Sequence, residues 1–295
     1  MHLASGTPAW RSEYPFASHW IETPAAKQHY IDEGSGRPVL FVHGNPTWSF
    51  YWRAGILATR GTHRAIAIDH VGCGLSDKPQ NWTYRLSDHI DNLERLVLQL
   101  DLSDITLVVH DWGGAIGFGV ATRHPARFRD FVVTNTAAFR SPHMPWRIAA
   151  CRIPGLGAVA VRGFNGFAGA ATVMATERGL TPQAKAGLLA PYDSWANRIA
   201  TLRFVEDIPM VPSHPSYPSL LAIELGLPQL TDKPTRLVWG ERDWCFTPWY
   251  RQEFERRFPK AQSFPLADVG HYLMEDAPEI LTRHITEQAA STFPS

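Results

Sequence analysis

Ile105-Thr-Leu-Val-Val109 runs directly into His110-Asp111-Trp112-Gly113-Gly114, and the reading of this stretch decides the fold. A nearly unbroken run of β-branched and aliphatic residues fits a strand buried on both faces, as in a parallel sheet. Two glycines just after it fit a sharp bend from strand into helix. Such a bend lifts the side chain at its apex clear of the sheet. It also aims the N–H groups of the new helix at negative charge developing there. The apex residue is Asp111. Val109 stands where such bends usually carry a small residue, so the local match is imperfect.

Similar runs lie on either side. Pro38–Val42 (PVLFV) ends in His43-Gly44-Asn45-Pro46, and Arg64–Asp69 (RAIAID) leads to Val-Gly-Cys-Gly. Phe131–Thr134 (FVVT) and Thr235–Trp239 (TRLVW) come later. Between the runs, Leu86, Ile90, Leu93, Val97 and Leu100 repeat at helical spacing. Thr181-Pro182 and Thr247-Pro248 look like helix starts. Asp276 with Glu279 resembles a capping box opening the last helix. Strand, turn, helix and strand in repetition predict an α/β fold with a mostly parallel, doubly wound sheet. From Arg140 to about Leu227 no strand signal occurs, and so long a stretch cannot be a structureless loop. The expected organisation is a core from residues 1–139 and 228–295, with a helical lid from 140–227 inserted after the sixth strand.

In open α/β sheets, ligands bind beyond the carboxyl ends of the strands. The polar residues there are His43 to Pro46, Asp69-His70, Asp111-Trp112, Asn135, Asp243 and His271. The order Asp111, Asp243, His271 is nucleophile, acid, base. Taken alone, Asp111 could equally be a helix cap; the downstream acid and histidine favour chemistry. A serine alkylated at sp³ carbon would give an ether, which water does not readily cleave. A carboxylate gives an ester, which histidine-activated water can open. An aspartate is also already ionised at neutral pH. The pattern therefore points to alkyl transfer followed by hydrolysis. The indole N–H of Trp112 and the amide of Asn45 suit a departing halide, and the backbone N–H groups of the same two residues suit an oxyanion hole.

Composition removes other classes. The 295 residues carry 28 Lys+Arg and 28 Asp+Glu, with 44% hydrophobic and 19% charged residues. There is no cationic excess for nucleic acid, and no apolar run long enough to span a bilayer. Met1 to Trp10 lacks the features of a secretory signal. Cys73, Cys151 and Cys245 form no disulfide framework, so a cytoplasmic location is expected. Thirteen histidines show no metal-ligand spacing, and neither a metal nor a cofactor is expected.

His43-Gly-Asn-Pro-Thr-Trp-Ser, His110-Asp-Trp-Gly-Gly, Gly240-Glu-Arg-Asp243 and Gly270-His271 together resemble the haloalkane dehalogenases of the α/β-hydrolase superfamily. The likeness covers nearly the whole chain. It implies Asp111 as nucleophile, His271 as base, Asp243 as acid, and Asn45 with Trp112 as halide holders. The acid after the later strand, with Asn135 rather than a Glu after the earlier one, resembles the first and third subfamilies, and Asn45 rather than a Glu is more similar to the third. The segments Asn135–Phe139, Met144–Arg147, Ala190–Trp195 and Arg203–Pro209 are similar to a branch that includes β-lactone decarboxylases of olefin biosynthesis, which use the same Asp/His/Asp set.

The expected activity is thus hydrolysis of haloalkanes to alcohol, halide and a proton, with β-lactone decarboxylation as the alternative. The expected partners are a small apolar substrate and a halide ion. Relatives of this subfamily self-associate, so a homo-oligomer is expected by analogy. Phe139, Trp146, Phe164, Phe167 and Trp195 are the aromatic candidates for shaping the pocket. Epoxide hydrolysis would need two lid tyrosines, for which Tyr192 and Tyr217 are the candidates. Haloacetate chemistry would need arginines beside the bend, where Ala115 and Ile116 stand. A non-catalytic binding protein would not need the acid, base and nucleophile together.

Overall fold

The structure is a computed structural model that describes residues 8–24 and 26–291. The N-terminal reading of Met1 to Thr7 lies outside the described residues. Eight strands form one sheet: β1 (Ser18–Glu22), β2 (Lys27–Glu33), β3 (Pro38–Val42), β4 (Arg64–Ile68), β5 (Ile105–Asp111), β6 (Phe128–Thr136), β7 (Thr235–Gly240) and β8 (Gln262–Leu266). Their spatial order is β1-β2-β4-β3-β5-β6-β7-β8. The β1–β2 and β2–β4 pairs are antiparallel, and all others are parallel.

Alternation along the central strands sends successive side chains to opposite faces. Leu40, Val42, Leu107 and Val109 join one apolar cluster, with the helices Leu86–Gln99, Trp112–Arg123 and Pro248–Arg257. Val39, Phe41 and Val108 join the other, with the helices Arg53–Thr59 and Pro278–Ala290. Both faces are therefore covered, which is why these strands read as continuous apolar runs rather than as alternating ones.

Between β6 and β7 the chain is helical. Short helices follow one another from Trp146–Cys151 to Gly166–Met174, then Pro182–Leu189, Ile199–Glu206 and Tyr217–Gly226. The last of these packs with the core: its Leu220 and Ile223, and Leu227 just after it, belong to the same cluster as Ile90 and Ile116. Thr181 caps its helix as expected, its Oγ1 accepting the Ala184 N–H at 3.0 Å. The expected capping box at Asp276 does not form. The last helix begins at Pro278 after Ala277, and the Asp276 carboxylate turns to the N–H groups of Gly270, Glu177 and Arg178 at 2.8, 2.9 and 3.0 Å. It ties the loop before His271 to the helical insertion.

Candidate active site

Three loops at the carboxyl ends of β3, β5 and β7 meet the loop after β8 around Asp111. Asp111 ends β5 with φ +51°, where the register against β6 shifts. A non-glycine residue in this region is strained, and such strain clusters at functional sites. The bend is held by close backbone approach. A Cβ on Gly113 would stand 2.1 Å from the carbonyl oxygen of Val42, so only glycine lets the helix start here. Gly44 does the same for the carboxylate, since a Cβ there would lie 2.1 Å from Asp111 Oδ1.

The Asn45 N–H donates to Asp111 Oδ1 at 2.6 Å. His271 turns Nε2 toward Asp111 Oδ2, at 3.8 Å, while its Nδ1–H donates to Asp243 Oδ2 at 2.7 Å. Asp243 is itself fixed. Its Oδ1 accepts the Cys245 N–H at 2.7 Å, and its Oδ2 also accepts from Asn135 Nδ2 at 2.9 Å. Asn135 additionally bonds both backbone polar groups of Gly240. The residue after β6 therefore braces the acid after β7. Below, His110 Nε2–H donates to the His271 carbonyl at 2.9 Å. The Phe246 ring stacks on the imidazole, with centroids 5.8 Å apart.

Burial raises the pKa of the Asp111 carboxyl; His271 and the N–H groups of Trp112 and Asn45 oppose that rise without cancelling it. Burial lowers the pKa of His271, but the adjacent Asp243 carboxylate outweighs it, and the net shift is upward. The neighbouring histidines behave oppositely. Burial pushes His43 down to about 4 and holds His70 and His110 well below the usual imidazole range. His43 and His70 are interlocked with each other: the His70 N–H donates to His43 Nε2, and His70 Nε2–H donates to the His43 carbonyl. Asp69, another candidate by position, pairs with His29 at 2.8 Å and caps the Ser49 and Leu75 N–H groups. These three polar residues hold loops in place and do not line the cavity.

The cavity above Asp111 is lined by the strand-end loops and by the insertion, including Ile148, Ala171 and Val205. No Lys or Arg is among the described residues lining it. Trp112 lines it, and the indole N–H has no hydrogen-bond partner among the described residues. The Asn45 side chain spends one N–H on the Thr201 carbonyl, at 3.1 Å. Of the five aromatic candidates, Phe139 and Phe167 line the cavity. Trp146, Phe164 and Trp195 do not; they are exposed on the outer side of the insertion. Neither candidate lid tyrosine reaches the cavity. The Tyr192 hydroxyl donates to the Thr47 carbonyl, and the Tyr217 hydroxyl accepts from Arg140. Sequence reasoning missed Tyr272. It is buried, lines the cavity, and its hydroxyl has no hydrogen-bond partner among the described residues. Only its place beside His271 could have drawn notice.

The model of the α/β-hydrolase fold family matches residues 37–278. A cis-3-alkyl-4-alkyloxetan-2-one decarboxylase of Shewanella oneidensis is 44% identical over 92% of this chain and 87% of its own length. One of the same name from Xanthomonas campestris is 40% identical, covering 88% of this chain and 90% of its own. Haloalkane dehalogenase 2 of Mycobacterium tuberculosis is 31% identical over 93% of this chain and 96% of its own. Among solved structures, haloalkane dehalogenase DbeA from Bradyrhizobium elkani superposes with a TM-score of 0.84 at 28% identity, covering 93% and 98% of the two chains. The chain belongs to the α/β-hydrolase family, among the relatives of the alkyloxetanone decarboxylases and haloalkane dehalogenases.

Proposed function

We propose that this protein decarboxylates a 3,4-dialkyl β-lactone through a covalent ester on Asp111, with residues 140–227 as the lid of its site. The supporting observation is a buried carboxylate held at a strained bend, in a cavity whose described lining has no Lys or Arg. The names of the two relatives at 44% and 40% identity favour the lactone over the haloalkane as substrate, reversing the order in which the sequence motifs rank the two.

In the first step an Asp111 oxygen attacks C4 of the lactone from the side opposite the ring oxygen. The C4–O bond breaks, and its electron pair leaves on the freed carboxylate. That anion would take the place of a halide, facing the Trp112 indole N–H and the remaining Asn45 amide N–H. An apolar cavity makes such a charge costly. The second step removes it: the C3–carboxylate bond breaks, CO₂ departs, and the electron pair forms C3=C4. The C4–O bond to Asp111 breaks and returns the charge to the enzyme. No proton or water is consumed. Inversion at C4 followed by anti elimination converts a cis lactone into a cis alkene. His271, braced by Asp243, holds its imidazole beside the Asp111 carboxylate.

Haloalkane hydrolysis is the second reading, supported by the Trp112 indole N–H, which has no partner among the described residues, and by the dehalogenase relatives. There His271 would activate water to open the alkyl ester, with the Asn45 and Trp112 N–H groups holding the oxyanion. Product analysis separates the two. A cis-3,4-dialkyl β-lactone and a panel of bromoalkanes are offered to the wild type and to Asp111→Ala. Alkene from the lactone, lost in the variant, supports decarboxylation. A β-hydroxy acid in place of the alkene, or halide release alone, sinks it.

A further inference from the structure

From Arg140 to Thr176 the chain has four arginines and no Asp or Glu, although the protein as a whole is neutral. Arg140 pairs with Glu224, but Arg147, Arg152 and Arg162 form no ion pair among the described residues. The same segment exposes Trp146 (74%), Leu156 (63%), Phe164 (81%) and Val173 (70%), with Ile153 and Val159 also outward. The elements that carry them touch one another in sequence: Trp146–Cys151 against Leu156–Ala158, then the π-helical Val159–Gly163, then Gly166–Met174. Arg162 lies 4.7 Å from the ring of exposed Trp195, which continues the face. Arg147 lies over the Trp146 and Trp244 rings. The other side of this segment supplies Ser141, His143, Met144, Pro145, Ile148, Phe167 and Ala171 to the cavity wall. It is thus a thin wall, mostly apolar on its inner side, whose arginines are not among the described residues lining the cavity.

We propose that the outer face of residues 146–173 docks onto an anionic lipid surface. Large exposed apolar patches mark interaction sites. Aromatic and aliphatic side chains projecting among arginines are the composition of segments that lie in a headgroup region. The charge of the face selects an anionic surface, each arginine near it adding roughly a fivefold gain in partition. Among the described residues no helix is long and apolar enough to cross a membrane, and the proposed contact is made by side chains on the surface of the insertion. Docking would set the cavity wall against the phase in which a dialkyl substrate dissolves.

The test is flotation of the full-length protein with vesicles of phosphatidylcholine alone or mixed with phosphatidylglycerol. We expect binding to the mixed vesicles, weakened by salt. Arg147→Gln with Arg152→Gln should lower the partition coefficient by about 30-fold. Leu156→Ser with Phe164→Ser should lower it as well, with unchanged circular dichroism and melting temperature. No flotation with the anionic vesicles overturns the proposal, as does an arginine variant that binds like the wild type. A stable dimer that Leu156→Ser with Phe164→Ser converts to monomer also overturns it, because the face is then an interface between copies.

Discussion

Gly44→Ala probes the site through a single methyl group. The new Cβ would stand 2.1 Å from Asp111 Oδ1, 2.3 Å from its Cβ and 2.6 Å from its Cγ, where ordinary contact begins near 3.4 Å. Something must therefore give by more than an ångström. Asp111 is poorly placed to give: its backbone is fixed at φ +51°, and Oδ1 is held by the Asn45 N–H. Moving the 43–46 loop instead would carry the Asn45 N–H away from the same oxygen. Either way Asp111 Oδ1 and its Asn45 donor part by about 1 Å, a displacement that costs roughly 10² in rate if this carboxylate is the proposed nucleophile. The overpacking should also cost about 1–3 kcal/mol of stability. Gly61→Ala is the control, because nothing lies within 4 Å of the Cβ added there. The assay is kcat/KM for the β-lactone, read as alkene by gas chromatography, with circular dichroism to confirm folding. A folded Gly44→Ala enzyme within twofold of the wild type would refute the placement of the nucleophile.

Asp243→Asn should separate the two chemistries. It removes the charge that raises the His271 pKa, and it sets an amide N–H against either the Cys245 N–H or the His271 and Asn135 donors. Any ester hydrolysis should fall by about 10²–10⁴, measured as halide turnover after a burst, whereas decarboxylation, which needs no activated water, should fall less. Asp111→Asn should abolish activity yet raise the melting temperature at neutral pH. The folded-state pKa of Asp111 is raised by burial, so the folded protein binds more protons than the unfolded chain and stability falls as pH climbs from the ordinary carboxylate value through the raised one; thermal melts of both forms across that window should converge at its acid end. Tyr272→Phe should leave the melting temperature unchanged, because the hydroxyl has no protein partner to lose among the described residues. If that hydroxyl donates to a lactone oxygen, the rate on lactone should drop about fivefold, the worth of one hydrogen bond, with halide release unaffected.

The central strands were legible because burial on both faces leaves a continuous apolar run, as in PVLFV and ITLVV. The edge hairpin was not. Ser18–Glu22 and Lys27–Glu33 are mixed polar sequences, and they are strands because they pair with each other and with β4. The order of Asp111, Asp243 and His271 was readable, and the structure brings their side chains together, with Asn135 bracing the acid. The facing of the insertion was not readable. Residues 146–174 break into short α-helical turns around a π-helical one, so no single 3.6-residue phase carries through. Within the first of them Ile148 turns inward while Trp146, two residues and about 200° around the same helix, turns out. The capping box at Asp276 was a local pattern overridden by three backbone N–H groups distant in sequence or across a loop.

The most direct measurement is rapid acid quench of the wild-type enzyme with a cis-3,4-dialkyl β-lactone, followed by peptide mass spectrometry. We expect the peptide containing Asp111 to gain the mass of one intact lactone at early times, and to lose it as cis alkene appears. Alkene formation with no adduct on that peptide, continuing in Asp111→Ala, would contradict covalent catalysis at Asp111.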